Sequence, residues 1–281
     1  MNLCDILFVS DLDGTLLRPD VTLDPKDAAQ LNALAEAGVR ITYATARTIR
    51  SVSHILSDLH FAPDSPPVAL MNGVLIRDMA RGVYLDIAAM SPETSAMLLR
   101  AMSDAGASPF IYALNDAGEL FTYYHSLPND AMRTFMDDRI RLYQKPFQQI
   151  ETTDDIRETV IYCCLLGSEQ DILRAEAAIQ GIPKIRFTSY RDNYDPSVFY
   201  LEIFDERADK RHAVEALRTV TSAKTVVCFG DNLNDIPMFE ASDIRVAVSG
   251  AHPELKTRAD AIAHDGVTAW IVQYLKDNAL L

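Results

Sequence analysis

The chain has 281 residues, enough for one large or two medium domains, and 48% of them are hydrophobic, which is ample for a buried core. The formal net charge of −14 argues against a nucleic-acid partner, because no cluster of Lys and Arg is available to neutralise phosphates. No apolar run approaches the roughly 20 residues that cross a bilayer, and the N-terminus lacks the features of a secretion signal. We therefore expect a globular cytoplasmic protein with no membrane partner.

Two aspartates follow the first predicted strand. An apolar run over residues 6–9 predicts this strand, and it leads into the acidic segment 10–15, Ser-Asp-Leu-Asp-Gly-Thr. Because a strand alternates its side chains between two faces, we expect Asp11 and Asp13 to point the same way, so that one could attack an electrophile while the other moves a proton. The alternative is an Asx-rich turn or a fragment of a calcium loop.

Strand and helix signals then alternate as far as residue 71. Asp24 before Pro25 predicts the start of a helix, and Gly38 predicts its end. Further signals predict a strand over 39–44, a helix over 49–59 and a third strand over 67–71. Such alternation predicts a parallel sheet covered by helices.

From Asn72 the rhythm changes to short hairpins and separate helices, and the strand-helix alternation returns only with a helix from Asp209. We therefore predict an α/β protein in which a Rossmann-like parallel sheet is interrupted by an inserted α+β domain. The predicted boundaries give a core of residues 1–83 plus 201–281 and an insertion of residues 84–200.

A second acidic cluster follows the apolar strand predicted over 225–229. It contains Asp231 and Asp235. The carboxyl ends of parallel strands share one edge of a sheet, so we expect these two aspartates to converge with Asp11 and Asp13. Several carboxylates in one place repel one another unless a cation lies among them, and an all-oxygen ligand set suits Mg²⁺.

Three further residues predict a cradle for phosphate oxygens at the same edge. Thr45 and Arg47 follow the second strand, and Lys210 lies at the start of the helix after the insertion. A hydroxyl, backbone amides near a helix start and an ammonium group suit a phosphate. Alternatives stay open at this point: Lys210 could be a surface lysine, and Arg47 could be a salt-bridge partner.

These segments resemble a known family when they are taken together. Asp-Leu-Asp-Gly-Thr, the threonine after the second strand, an isolated lysine and Gly-Asp-Asn-x-Asn-Asp follow one another in the order of the four motifs of the haloacid dehalogenase-like superfamily. The large insertion, preceded by Asn72-Gly73, resembles the Cof-type (IIB) phosphatases and their C2B cap domain. Two departures are Thr45-Ala46-Arg47 in place of Thr-Gly-Arg and Ser249-Gly250-Ala251 in place of Gly-Asn-Ala.

The resemblance implies roles for the acidic residues. Asp11 would be the nucleophile that accepts the phosphoryl group, and Asp13 the acid/base that protonates the leaving oxygen and then activates water. Mg²⁺ would be held by the Asp11 carboxylate, the Asp13 backbone carbonyl and Asp231. Asp235 would hold Lys210 or a metal-bound water, and it also suits the start of a helix.

The resemblance also implies a substrate site and an activity. Thr45, Lys210 and Asn234 would bind the phosphoryl oxygens, and Arg47 is a further candidate. The implied function is a Mg²⁺-dependent phosphatase of small phosphorylated metabolites, with sugar phosphates as the expected class, in a monomer or weak dimer. The alternatives are a phosphomutase, a phosphatase dedicated to one sugar conjugate, or a regulator that binds a phosphometabolite without turnover. The insertion would close over the site, with the loop from Arg191 to Tyr194 either touching substrate or lying in solvent.

Overall fold

The structure, a computed structural model, describes residues 2–192 and 195–281. Its strands are β1 (Ile6–Ser10), β2 (Arg40–Tyr43), β3 (Val68–Leu70), β4 (Leu75–Asp78), β5 (Val83–Ile87), β6 (Phe110–Leu114), β7 (Leu120–Tyr124), β8 (Gln148–Gln149), β9 (Thr159–Gly167), β10 (Ile185–Arg191), β11 (Phe199–Asp205), β12 (Thr225–Gly230), β13 (Ile244–Val248) and β14 (Ala261–Ala263). Its α-helices are α1 (Pro25–Glu36), α2 (Ile49–Ile55), α3 (Pro92–Asp104), α4 (Asp130–Tyr143), α5 (Glu169–Ile179), α6 (Lys210–Thr221), α7 (Ile236–Glu240), α8 (Pro253–Arg258) and α9 (Val267–Asp277).

The chain divides into two compact units. One consists of Met1–Asp86 and Asp209–Leu281, and the other of Ile87–Ala208. These units divide at 86/87 and 208/209, whereas the sequence-based boundaries are 83/84 and 200/201; β11 pairs with both β9 and β10 and lies in the second unit. The assignment of the two units as catalytic core and cap stays a prediction.

The first unit is built on a five-stranded sheet with the order β14-β13-β12-β1-β2, and every neighbouring pair in it is parallel. The central strands β1 and β12 are almost wholly buried. A parallel strand covered on both faces needs a continuous apolar run, and both segments have one. The predicted α/β fold with a central parallel sheet is therefore confirmed, and the carboxyl ends of β1, β2 and β12 lie at one edge.

The third predicted strand pairs differently from the prediction. β3 runs antiparallel to β4 in a separate sheet of order β3-β4-β5, and an isolated parallel bridge joins Ala69 to Ala44, directly after β2. The prediction that residues 67–71 belong to the parallel sheet is wrong, because β3 lies in a separate sheet. The tight turn at Met71–Gly73 places β4 directly beside β3. β4 is therefore the nearest strand with which β3 can form backbone hydrogen bonds.

Two helices begin where their capping residues predict. The Asp24 side chain caps α1, and Pro25 occupies its first position. The Asp209 side chain accepts a hydrogen bond from the backbone N–H of His212 at 2.7 Å and so begins α6 at Lys210. The cap therefore sets which residue opens this helix, and that residue is the lysine singled out above.

The second unit contains a six-stranded sheet of order β10-β11-β9-β6-β7-β8, antiparallel except between β7 and β8. Helices α3, α4 and α5 pack against β9. In the predicted substrate loop, Arg191 Nε donates to the backbone carbonyl of Pro196 at 2.6 Å, whereas Tyr194 lies outside the described residues. Among the helices that the structure describes, none is long and apolar enough to span a bilayer.

Candidate active site

Asp11 lies at the carboxyl end of β1, tied to the neighbouring strand. Its backbone N–H donates to the carbonyl of Phe229, on β12, at 3.0 Å, and only 7% of its side chain is exposed. Asp13 is 47% exposed at its side chain. Strand alternation does not govern their placement as we expected, because β1 ends at Ser10 and a turn over Leu12–Leu16, with non-helical backbone at Asp13 and Gly14, follows it. Two carboxylates two positions apart thus acquire different surroundings.

Lys210 joins two of the predicted site residues. Its Nζ atom donates to Asp11 Oδ1 at 2.7 Å and to Asp235 Oδ1 at 2.5 Å, and its side chain is 2% exposed. The alternative of a surface lysine is therefore wrong. Burial alone would lower the pKa of Lys210, but the two carboxylates outweigh this effect and raise the pKa above its ordinary value. The ammonium group consequently stays charged inside the protein.

Asp235 is fixed on both carboxylate oxygens. Oδ1 binds Lys210, while Oδ2 accepts from the backbone N–H groups of Asp231 at 2.9 Å and Asn232 at 3.1 Å. This capping arrangement closes the turn after β12, so the helix-start role coexists with the contact to Lys210. Gly230 makes room for it, because a Cβ atom there would lie 2.7 Å from the Asp235 Cβ atom.

Three carboxylates form one cluster. Asp11, Asp231 and Asp235 each place an oxygen within 4.8 Å of the others. Burial raises the pKa of Asp11 to about 7 although Lys210 opposes the shift, and burial together with the charge of Asp235 raises the pKa of Asp231 to about 6. One buried ammonium group therefore does not neutralise the cluster.

The donor chemistry fits a hard divalent cation such as Mg²⁺, because every ligand offered is a carboxylate oxygen. Asp235 has both oxygens engaged within the protein. Asp11 binds Lys210 through Oδ1, and Asp231 Oδ1 accepts from the Thr15 hydroxyl at 3.1 Å. We therefore expect the Oδ2 atoms of Asp11 and Asp231 to be the better ligands and Asp235 to act as a support.

The segment after β2 carries the other predicted residues. Thr45 is fully buried, its backbone N–H donates to Ala69 at 3.0 Å, and its hydroxyl oxygen accepts from the backbone N–H of Arg47 at 3.2 Å. The Arg47 guanidinium pairs with Asp13. The salt-bridge interpretation of Arg47 is thus confirmed, without deciding whether the residue also binds substrate. Asn234 is exposed in the turn after β12.

Two supporting residues escaped sequence reasoning. Thr15 belongs to the first acidic segment, but nothing local indicates that its hydroxyl binds Asp231, 216 positions away. Ser51 accepts from Arg47 Nη1 at 2.8 Å. Ser51 lies four residues after Arg47, a spacing at which side chains meet on a helix. Because α2 begins only at Ile49, Arg47 precedes the helix and this spacing did not predict the contact.

We expect Gly14→Ala to disrupt the site. Gly14 has a φ of +74°, and a Cβ atom there would lie 2.3 Å from Asp231 Oδ2. Gly38 is a matched control, because its φ is +86° but no atom lies within 4 Å of its Cβ position. Gly14→Ala should lower the free energy of unfolding in urea by about 1–3 kcal/mol more than Gly38→Ala and should weaken Mg²⁺ binding. Equal effects of the two substitutions would contradict this account of the turn.

The raised carboxyl pKa values predict a pH-dependent stability in chelator. Between the unfolded pKa of about 4 and the folded values of about 6 to 7, the folded protein binds more protons than the unfolded chain. The free energy of unfolding should therefore fall as the pH rises through this range, and Mg²⁺ should restore it at about pH 8. Urea denaturation at about pH 5 and pH 8 measures this, and Asp231→Asn should flatten the dependence. If the parent protein became more stable as the pH rises in chelator, burial would not disfavour the charged form of these carboxylates.

The chain is similar to known hydrolases over most of its length. The sequence profile of haloacid dehalogenase-like hydrolases matches residues 8–271. The chain is 24% identical to the 5-amino-6-(5-phospho-D-ribitylamino)uracil phosphatase YwtE of Bacillus subtilis, over 94% of this chain and 96% of that protein. It is 23% identical to the pyridoxal phosphate phosphatase YbhA of Escherichia coli, over 96% of this chain and 97% of that protein.

The fold is also similar to that of a solved phosphatase structure. The solved structure of the subclass IIB sugar phosphatase BT4131 matches with a TM-score of 0.69 at 18% identity, over 98% of this chain and 99% of that one. Because the family profile spans nearly the whole sequence, the chain belongs to the haloacid dehalogenase-like hydrolases and is an enzyme of their phosphatase class.

Proposed function

We propose that the enzyme is a Mg²⁺-dependent phosphatase of small phosphorylated metabolites that acts through an aspartyl-phosphate on Asp11. The observation that carries the proposal is the setting of Asp11. Its carboxylate is buried at the end of β1, oriented by the Lys210 ammonium at 2.7 Å and adjacent to the carboxylate of Asp231. A fixed nucleophile beside cationic groups suits phosphoryl transfer, which depends mainly on positioning and charge neutralisation.

In the first half of the reaction, an Asp11 oxygen forms a bond to phosphorus while the ester P–O bond breaks. The leaving oxygen takes a proton from Asp13. In the second half, a water oxygen attacks the phosphorus, its proton goes to Asp13, and the bond between Asp11 and phosphorus breaks to release inorganic phosphate. The half-exposed position of Asp13 supports this role, because its proton can exchange with solvent.

Charge neutralisation falls to groups at the same sheet edge. Lys210 supplies a permanent positive charge, and Thr45 and Asn234 offer hydrogen bonds to the phosphoryl oxygens. Each contact between a cation and an oxyanion at about 4 Å is worth about 4 kcal/mol at an effective dielectric constant of 20. Mg²⁺ held by Asp11, Asp231 and the Asp13 backbone carbonyl would stabilise the charge that develops on the transferred group.

We infer the substrate class from the relatives. The named relatives act on a phosphoribityl compound and on pyridoxal phosphate, and the structural neighbour is a sugar phosphatase. Sugar phosphates are therefore the first substrates to test. The candidate residues of the first unit account for the phosphoryl group alone, so we assign the choice of leaving group to the inserted unit.

We expect Asp11→Asn to abolish turnover and keep the fold. The substitution preserves the shape of the side chain but removes the charge of the nucleophile, so phosphate release from p-nitrophenyl phosphate should fall below about 1% of the parent rate. Circular dichroism should be unchanged. Asp64→Asn, at an exposed position, is the matched control and should keep the parent rate. Residual turnover of several per cent in Asp11→Asn would exclude the covalent route.

Activity should vanish in chelator and return with Mg²⁺. Ca²⁺ should bind the same carboxylates but support little turnover, because its larger and more variable coordination sphere misplaces the nucleophile relative to the phosphoryl group. Initial rates with each ion, together with calorimetric titration of each ion into chelated protein, separate binding from catalysis. Full activity in chelator, or a requirement for Zn²⁺, would contradict the proposed metal.

A further inference from the structure

The Arg47 guanidinium holds both carboxylate oxygens of Asp13. Nε donates to Oδ2 at 2.7 Å and Nη2 donates to Oδ1 at 2.5 Å, which is a two-point contact. The third nitrogen, Nη1, donates to the Ser51 hydroxyl at 2.8 Å. The Arg47 side chain is only 18% exposed, so packing and hydrogen bonds both define its position. This geometry is among the strongest that a carboxylate forms with a side chain.

This contact conflicts with the work that the proposed function assigns to Asp13. That work requires Asp13 to donate a proton to the leaving oxygen and later to accept one from water. While both oxygens accept from the guanidinium group, each has one lone pair fewer with which to bind a leaving oxygen or a water. The ion pair and the proton transfer therefore compete for the same carboxylate.

The phosphoryl group of the substrate has the chemistry needed to open it. A guanidinium fork matches two phosphoryl oxygens as well as it matches a carboxylate. Arg47 also lies in the segment proposed to bind that group, since its backbone N–H donates to the hydroxyl of Thr45. Asp13 and the phosphoryl group thus compete for one cation.

The geometry points to an exchange in which the bound phosphoryl group takes the Arg47 guanidinium from Asp13 and thereby frees Asp13 for proton transfer. Arg47 is then a positioning residue for Asp13 as well as a contact for the phosphoryl group. The inference rests on the proposed function and adds a coupling to it. Binding of the phosphoryl group and release of the proton-transfer residue become one event, so Asp13 stays engaged when no phosphoryl group is bound.

A double-mutant cycle on phosphate binding tests the exchange. Isothermal titration calorimetry with inorganic phosphate in Mg²⁺ buffer compares the parent, Asp13→Asn, Arg47→Ala and the double variant. Asp13→Asn removes the competitor, so it should tighten phosphate binding by about fivefold or more when Arg47 is present. In the Arg47→Ala background, the same change should alter the affinity by less than about twofold. Asp13→Ala should repeat the result without an amide oxygen that Arg47 could still bind.

Arg50→Ala is the control for the loss of an exposed positive charge three residues along the chain, and it should leave the effect of Asp13→Asn unchanged. Arg47→Lys keeps the charge but cannot make the two-point contact, so it should reduce the coupling. Equal tightening by Asp13→Asn with and without Arg47 would overturn the exchange, because removal of a negative charge alone would explain it. Weaker binding in Asp13→Asn, or no phosphate binding by any of the four proteins, would also overturn it.

The rates separate this inference from the proposed function. Arg47→Ala should raise KM for p-nitrophenyl phosphate and for an alkyl phosphate by a similar factor, with little change in the ratio of their kcat values, because Asp13 is no longer restrained. A kcat loss confined to the alkyl phosphate would mean that Arg47 only supports Asp13, which contradicts the exchange. A parent protein that does not hydrolyse p-nitrophenyl phosphate would instead remove the proposed function itself.

Discussion

The site depends on one buried ammonium group between two buried carboxylates. Lys210 begins α6, Asp11 directly follows β1, and Asp235 closes the turn after β12, so the contact joins three segments that are distant in sequence. Removing one partner from such a buried group leaves an uncompensated charge, which typically costs about 3–5 kcal/mol. The positions of the helix start and of both strand ends are therefore restricted by electrostatics as well as by apolar packing.

The single ammonium group of Lys210 does not balance the carboxylates around it, so the site keeps an excess of negative charge. Asp231 adds a third carboxylate to the cluster, and burial raises the pKa values of Asp11 and Asp231. Such a cluster is unfavourable by itself and favourable once a divalent cation balances it. The overall charge of −14 consequently says little about affinity for an anionic substrate, because nearby cations dominate the potential within the site.

The backbone turn after β1 gives two neighbouring aspartates different surroundings. Asp11 is buried beside Lys210, whereas Asp13 is half-exposed beside Arg47. Gly14 permits this turn, since its φ is +74° and its Cβ position is occupied by the Asp231 carboxylate. In the roles that we propose for Asp11 and Asp13, a nucleophile needs a fixed and desolvated position, and a proton carrier needs access to solvent. The turn provides both conditions within three residues.

The sequence by itself determined the features that depend on near neighbours. Apolar runs predicted the strands, Asp24 marked the start of α1, and the acidic segments marked the strand ends where the candidate site lies. The tertiary structure decided every contact between distant segments. The pairing of β3 with β4, the membership of β11 in the second unit, the burial of Lys210 and the Arg47 to Asp13 ion pair are of this kind. The physical reason is that capping and periodicity act over a few residues, whereas burial and ion pairing depend on which segments the fold brings together.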